Sequence, residues 1–369
     1  MTLDEIVDDV LLTEEECFDL NEADPIVQQI TYSGQDFDIE GLVRRLDKGD
    51  IVIPRFGHND PTLETVGFQR GFVWRKPQMD RFIESLLLGF PIPGIFLVRQ
   101  VDRRYLVLDG QQRLLTLKSF YDGVHQHKEF SLTNVSDKFV GLTYAKLPNE
   151  LRRTLDDAFI QATIVNMDGS RASSDSVYQI FERLNSGGTQ LTPHEIRMAL
   201  HAGKLVEELE RLNNDPRWRE LYGAKSPRVR DQELILRIIA LYVSSARYSR
   251  PLKSYLNRFM DEYRDANDDA LIEAMELFTQ ASDLLFNGPG ADALRKASRQ
   301  VNAAQTEAIY VGLMRRLSSS AIHPELVTAA VRSLRDNNKF DSATGRSTAD
   351  DDSVATRLEI ATATFADIS

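Results

Sequence analysis

A single cysteine, Cys17, in 369 residues leaves the chain no intrachain disulfide and no cysteine cluster for zinc. Histidine is almost as sparse. The six are His58, His125, His127, His194, His201 and His323, and none stands at ligand spacing from carboxylates except the adjacent pair His194 and Glu195. His125 and His127 flank Gln126 in a polar stretch, which reads as a solvated loop. No apolar run approaches the length needed to cross a bilayer, and the acidic start Met1-Thr2-Leu3-Asp4-Glu5 is unlike a secretory signal. A cytoplasmic chain with no membrane partner is expected. A glycine-lysine phosphate loop of the Walker type is absent, so any nucleotide hydrolysis needs another architecture. Net positive charge is lacking too. At −12 the chain is no general coat for DNA, because sequence-independent affinity comes from neutralising phosphates. Contact with DNA through a local basic patch stays open, since Arg70, Arg75, Lys76 and Arg81 are near one another in sequence, as are Lys225, Arg228 and Arg230.

What is present divides the chain in two. Residues 1–24 are an acidic arm. From 25 to 200 the pattern is mixed. A helix is expected over Phe37 to Leu46, an extended piece at Ile51 to Pro54, and a loop at Phe56 to Pro61. A helix follows over Met79 to Leu88, with apolar positions at Phe82, Ile83, Leu86 and Leu87. Gly94 to Val98 and Tyr105 to Leu108 flank the polar Asp102-Arg103-Arg104, as a hairpin would. Pro148 to Asp156 reads as a helix and Ala158 to Val165 as a further strand. After residue 200 only helical spacing is found, at Leu234 to Tyr242, Leu252 to Tyr263, Ala270 to Leu285 and Ala304 to Leu317. Breaks fall at Asn213 to Pro216, Ser226-Pro227 and Asn287 to Gly290. The fold class expected is α+β, with a small mixed α/β domain followed by an all-α domain over 201–340. Residues 341–369 read as a loop and a short helix.

The most informative five residues are Asp109-Gly110-Gln111-Gln112-Arg113, which join the apolar run Tyr105 to Leu108 to the amphipathic run Leu114 to Tyr121. A buried strand that ends at a glycine turn and opens a helix directs free N–H groups at one electropositive spot, suited to a phosphate. Asp109 at the N-cap with Gln112 at N3 also fits a capping box, which would satisfy the same donors internally. Arg113 disturbs that simpler reading. A cation in the first helical turn opposes the macrodipole at a cost of roughly 0.3–1 kcal/mol unless an anion is near. Its partner is either Asp109 or a bound phosphate, and spacing does not choose. Further on, Val177 to Leu184, Asn185-Ser186-Gly187-Gly188 and Thr192-Pro193-His194-Glu195 read as a helix, a glycine stop and a capping box with proline at N1.

These segments together resemble the GmrSD restriction endonuclease N-terminal domain family, also called DUF262. Asp109 to Arg113 is similar to its signature. Gly67-Phe68-Gln69-Arg70-Gly71-Phe72-Val73-Trp74-Arg75-Lys76, followed by Gly89-Phe90-Pro91-Ile92-Pro93, resembles its upstream segment. Phe181 to Arg197, including Asn185, Gly187 and Gly188, resembles its second signature. The resemblance covers roughly residues 36–200 and implies a fold similar to ParB and sulfiredoxin, in which a glycine turn before a helix holds nucleotide phosphates.

The resemblance also implies hydrolysis of a nucleoside triphosphate with a divalent cation such as magnesium. On that basis Gly110, Gln111 and Gln112 are expected to cradle phosphate, with Gln69, Asn185, Gly187 and Gly188 lining the same pocket. Arg113 and Arg70 would offset charge on the transferring group, and Asp109 would hold the metal or orient the attacking water. Trp74 is expected in the core beside the pocket. Nothing like the His-Asn-His nuclease of longer family members follows: Ile322-His323-Pro324-Glu325 is an isolated histidine before a helix. The expectation is a nucleotide-responsive regulator of DNA defence acting with a separately encoded nuclease or toxin-like effector. A non-hydrolysing nucleotide or DNA sensor, and a domain that nicks DNA itself, are the alternatives. Self-association into a homo-oligomer is left open.

Overall fold

The computed structural model describes residues 30–54, 74–184, 191–296 and 300–367. Its chain contacts separate two compact units, with the division between Leu191 and Thr192. That point lies ahead of the change of pattern read near residue 200. As expected, the fold is α+β.

The first unit is built on a five-stranded sheet in the order β1-β7-β3-β4-β2. Its strands are β1 (Tyr32–Asp38), β2 (Ile51–Val52), β3 (Ile95–Arg99), β4 (Tyr105–Asp109) and β7 (Phe159–Asn166), while β5 (Val124–His125) and β6 (Lys128–Glu129) form a separate ribbon. Central β3 pairs antiparallel with β4 and parallel with β7, and β4 pairs parallel with β2 at the other side. Leu106, Val107 and Leu108 are all buried, as a strand covered on both faces requires. The β3–β4 hairpin forms where it was expected, closed by Gln100 and Arg104 through a 2.8 Å backbone bond.

Strand β1 was not read from the sequence. Among its residues only Phe37 is buried, so the alternation that marks a half-buried strand is missing. Antiparallel backbone pairing to β7, from Tyr32 with Val165 to Asp38 with Phe159, makes it a strand. The helix expected over Phe37 to Leu46 accordingly begins two residues later, as α1 (Ile39–Lys48), with the Asp38 carboxylate accepting from the Gly41 N–H at 2.5 Å. Helices α2 (Lys76–Leu87), α3 (Gln111–Asp122), α4 (Asn149–Asp156) and α5 (Arg171–Leu184) follow among its described residues. Leu42, Ile83, Leu97, Leu114, Leu117 and Phe120 meet in one core.

A buried carboxylate ties α2 to the chain beyond β6. Asp80 is fully buried and accepts from Lys76, from the Thr133 hydroxyl at 3.0 Å, and from the Asn134 N–H and amide at 3.0 and 2.9 Å. Burial alone would raise its pKa, but the Lys76 and Asn134 donors outweigh it and hold the carboxyl below its ordinary value. One turn on, Glu84 accepts from the Ser136 N–H at 2.8 Å.

The second unit is helical among its described residues, from α6 (Pro193–Leu200) and α7 (Lys204–Asn213) through α8 (Pro216–Tyr222), α9 (Arg230–Ser244), α10 (Leu252–Glu262) and α11 (Asp269–Asn287). It ends with α12 (Ala303–Leu317), α13 (Pro324–Arg335), α14 (Asn338–Ala343) and α15 (Asp351–Ala366). Every residue from Asp231 to Leu241 is buried, as in a helix surrounded by others. Trp218, Phe278 and Tyr310 form an aromatic centre, with the last two stacked at 5.0 Å. A triad of charged side chains lies inside this unit. Glu307 reaches Arg237 at 2.5 Å and Arg357 at 2.6 Å, and all three are buried. The stretch expected to be a loop at 341–352 instead contains the end of α14 and the start of α15, because Asn337 caps one helix and Phe340 anchors it in the core.

Candidate functional site

Strand β4 delivers Asp109 to the end of the sheet, and the chain turns into α3 through Gly110. Gly110 has φ 95° and ψ 8°, the left-handed region. It is also pressed on β3: a Cβ there would fall on Cγ2 of buried Ile95 and lie 2.9 Å from its Cβ. Backbone conformation and lack of space both demand glycine.

The capping box does not form. Gly110, not Asp109, is the N-cap of α3, and it brings no side chain to the first-turn N–H groups. Gln112 turns outward and accepts from the Trp74 N–H at 3.1 Å, so it fixes the entry to α2 rather than the start of its own helix. The Asp109 carboxylate accepts from Arg113 Nη2 at 2.9 Å, while Arg113 Nη1 donates to the Pro93 carbonyl at 3.1 Å. Of the two partners left open for Arg113, the structure holds Asp109. The carboxylate relieves the conflict of a cation with the helix dipole. The guanidinium is 13% exposed and the carboxylate 52%, so the pair lies at the surface with its acidic member outermost.

Several expected residues are thus brought together. Asp109, Gly110, Gln111, Gln112 and Arg113 occupy one strand-to-helix junction, with the Pro93 carbonyl against it. Trp74 packs edge-on against Phe82 at 5.5 Å and belongs to the core. Gln69, Arg70, Asn185, Gly187 and Gly188 lie outside the described residues. So does the loop expected at Phe56 to Pro61, and so does the arm at 1–24. The Thr192 capping box is present as expected, with Glu195 Oε2 accepting from the Thr192 N–H at 2.7 Å and the Thr192 hydroxyl accepting from the Glu195 N–H at 3.1 Å.

Two features escaped the sequence reading. The Pro93 carbonyl, as second anchor of Arg113, was foreshadowed only by the Gly89 to Pro93 block. A local basic patch was left open at Lys225, Arg228 and Arg230, but Arg228 is buried, with its guanidinium 3.5 Å from the Glu195 carboxylate. It offers nothing to a surface. Arg75 and Arg81 are exposed, whereas Lys76 is committed to Asp80.

A metal held by protein ligands alone does not fit this junction. Among the described residues no three His, Cys, Asp or Glu side chains converge on a common point, and Asp109 is a single carboxylate already beside a guanidinium. Such a site suits at most a cation whose other ligands are phosphate oxygens and water, the usual arrangement for magnesium. Among the described residues no helix is long and apolar enough to cross a membrane.

The family model described as GmrSD restriction endonuclease, N-terminal domain, matches residues 39–202. All three motif blocks fall inside that span, and the resemblance read from them is borne out there. No curated protein matches the chain.

Proposed function

We propose, from a chain that carries this domain of a restriction endonuclease family, that it is a nucleotide-binding regulator in restriction-type DNA defence. It hydrolyses a nucleoside triphosphate and acts with a separately encoded nuclease. The observation that carries the reading is the junction at Gly110. A helix there starts without a capping side chain from its N-cap residue, against a buried strand, with a guanidinium and a carboxylate at its mouth.

The N–H groups of the first turn of α3 receive phosphate oxygens, whose charge the helix dipole favours. Arg113, steadied by the Pro93 carbonyl, turns part of its donor set from Asp109 to the phosphoryl group, where charge grows in the transition state. Asp109, half exposed, is then released to orient water. Alternatively Asp109 would hold a divalent cation whose other ligands would be phosphate oxygens and water, and the cation would supply further charge neutralisation.

Phosphate release by purified chain, followed with malachite green, tests this. Asp109→Ala and Arg113→Ala are each expected to lower release about a hundredfold, as loss of a transition-state electrostatic contact does. Equal release from all three proteins removes hydrolysis at this junction. One observation favours a second reading: Arg113 is already satisfied by Asp109 and Pro93. A sensor that binds without turnover would give a saturable signal with a fluorescent nucleotide, lost in Arg113→Ala, and no phosphate release.

A further inference from the structure

A cavity of about 510 Å³ opens in the helical unit, lined by Arg295, Lys296, Arg335, Asp292, Asp341 and Gln305 around the edge of Phe340. Its size falls in the range of roughly 300–1,000 Å³ usual for small-molecule sites. Its lining holds three cations against two carboxylates, in a chain whose overall charge is −12. The cations are therefore concentrated here against the general trend.

Their partners matter more than their number. Arg295 Nη1 donates to the carbonyls of Leu221 and Ala291 at 2.7 and 2.8 Å, and its Nη2 to that of Tyr222 at 2.6 Å. Arg335 Nη2 donates to the Arg295 carbonyl at 2.8 Å and to that of Asp292. Carbonyl groups fix a guanidinium without cancelling its charge. Among the described residues no carboxylate lies within ion-pair distance of either arginine, so both keep their charge, and Arg295, anchored through both terminal nitrogens, is the more firmly ordered of the two. The one close ion pair of the lining among the described residues, Lys296 with Asp341 at 2.8 Å, is a loose one. Asp341 is 69% exposed, so solvent screens the pair. Gln305 sits in the first turn of α12, where Asn302 caps its N–H at 2.8 Å, so the positive end of that helix also faces this region.

We infer that this cavity binds a small sugar phosphate, free or as part of a nucleotide. Arg335 and Lys296 meet the phosphate, and the Asp292 and Asp341 carboxylates accept from sugar hydroxyls. The two carboxylates disfavour a continuous polyanion such as nucleic acid. The inference does not rest on the Gly110 junction, which lies in the other unit.

Isothermal titration of the full chain with ribose 5-phosphate, AMP and inorganic phosphate tests it. An Arg113→Ala background keeps the junction from contributing heat. Ribose 5-phosphate or AMP is expected to bind, and inorganic phosphate more weakly. Tighter binding of AMP would assign the nucleotide, and equal binding the sugar phosphate alone. Lys296→Gln should weaken either ligand about tenfold or more, the usual loss of a hydrogen bond to a charged group. Arg335→Gln is expected to abolish binding, but it also removes anchors of the Asp292 and Arg295 carbonyls and can unfold the region. Lys296→Gln removes none of these, so it is the deciding variant. Affinity unchanged in Lys296→Gln, or no heat with any of the three probes at millimolar concentration, overturns the inference.

Discussion

Replacing Gly110 with alanine should damage this protein far more than an ordinary glycine substitution in a helix cap. The backbone term can be isolated because α3 is bounded by left-handed glycines at both ends: Gly110 with φ 95° and Gly123 with φ 72°. Around Gly123 a Cβ meets nothing within 4 Å, so Gly123→Ala carries only the left-handed conformational cost, about 1–2 kcal/mol. Gly110→Ala carries the same cost and drives a methyl into Ile95, whose side chain is fully buried in β3. Overpacking of that kind adds about 1–3 kcal/mol, for a total near 2–5 kcal/mol. Urea unfolding at pH 7, with the midpoint read for each variant, measures both. A double variant with Ile95→Ala should cost less than the sum of its parts, because the truncated residue gives the methyl room. If Gly110→Ala unfolds at the same urea concentration as Gly123→Ala, the close approach of turn to strand is not a constraint, and the argument for the junction fails with it.

Two further outcomes follow from buried charge. Asp80→Asn should cost about 2–3 kcal/mol at pH 7, since it weakens charged hydrogen bonds to Lys76, Thr133 and Asn134. Folding depresses the Asp80 pKa, so its extra stability is full above the ordinary value of 3.8 and fades as the pH falls through the lowered folded value. Wild type and variant should therefore converge in acid, and a gap in urea midpoint that stays constant from pH 7 to pH 2.5 contradicts this. Glu307→Gln removes the buried negative charge that faces Arg237 and Arg357 and should cost about 3–5 kcal/mol in thermal or urea unfolding, whereas a loss under about 1 kcal/mol would mean that water reaches the triad.

Much of the first unit could be read from residues alone, because its signals are local. Tyr105 to Leu108 is an unbroken apolar strand, Gly110 marks the turn, and the apolar period of α3 follows at once. The hairpin around Asp102 and Arg104 is likewise set by neighbours in the chain. What could not be read depends on partners distant in sequence. Strand β1 exists because β7 lies beside it, and its own residues carry no strand pattern. Gln112 looked like a capping residue, yet it pairs with the backbone of Trp74, 38 positions away. Arg228 looked like surface charge until the fold set it against Glu195.

The chain's own order of residues decided where the glycine turn falls, where strongly periodic helices such as α3, α10 and α11 form, and which family its first half is similar to, since each follows from periodicity and motif over short stretches. Packing alone decided that Arg113 holds Asp109 and the Pro93 carbonyl, and that Arg295, Lys296 and Arg335 share one cavity. Charge and hydrogen bonding act through space, and a linear pattern records which groups are present but not which of them meet.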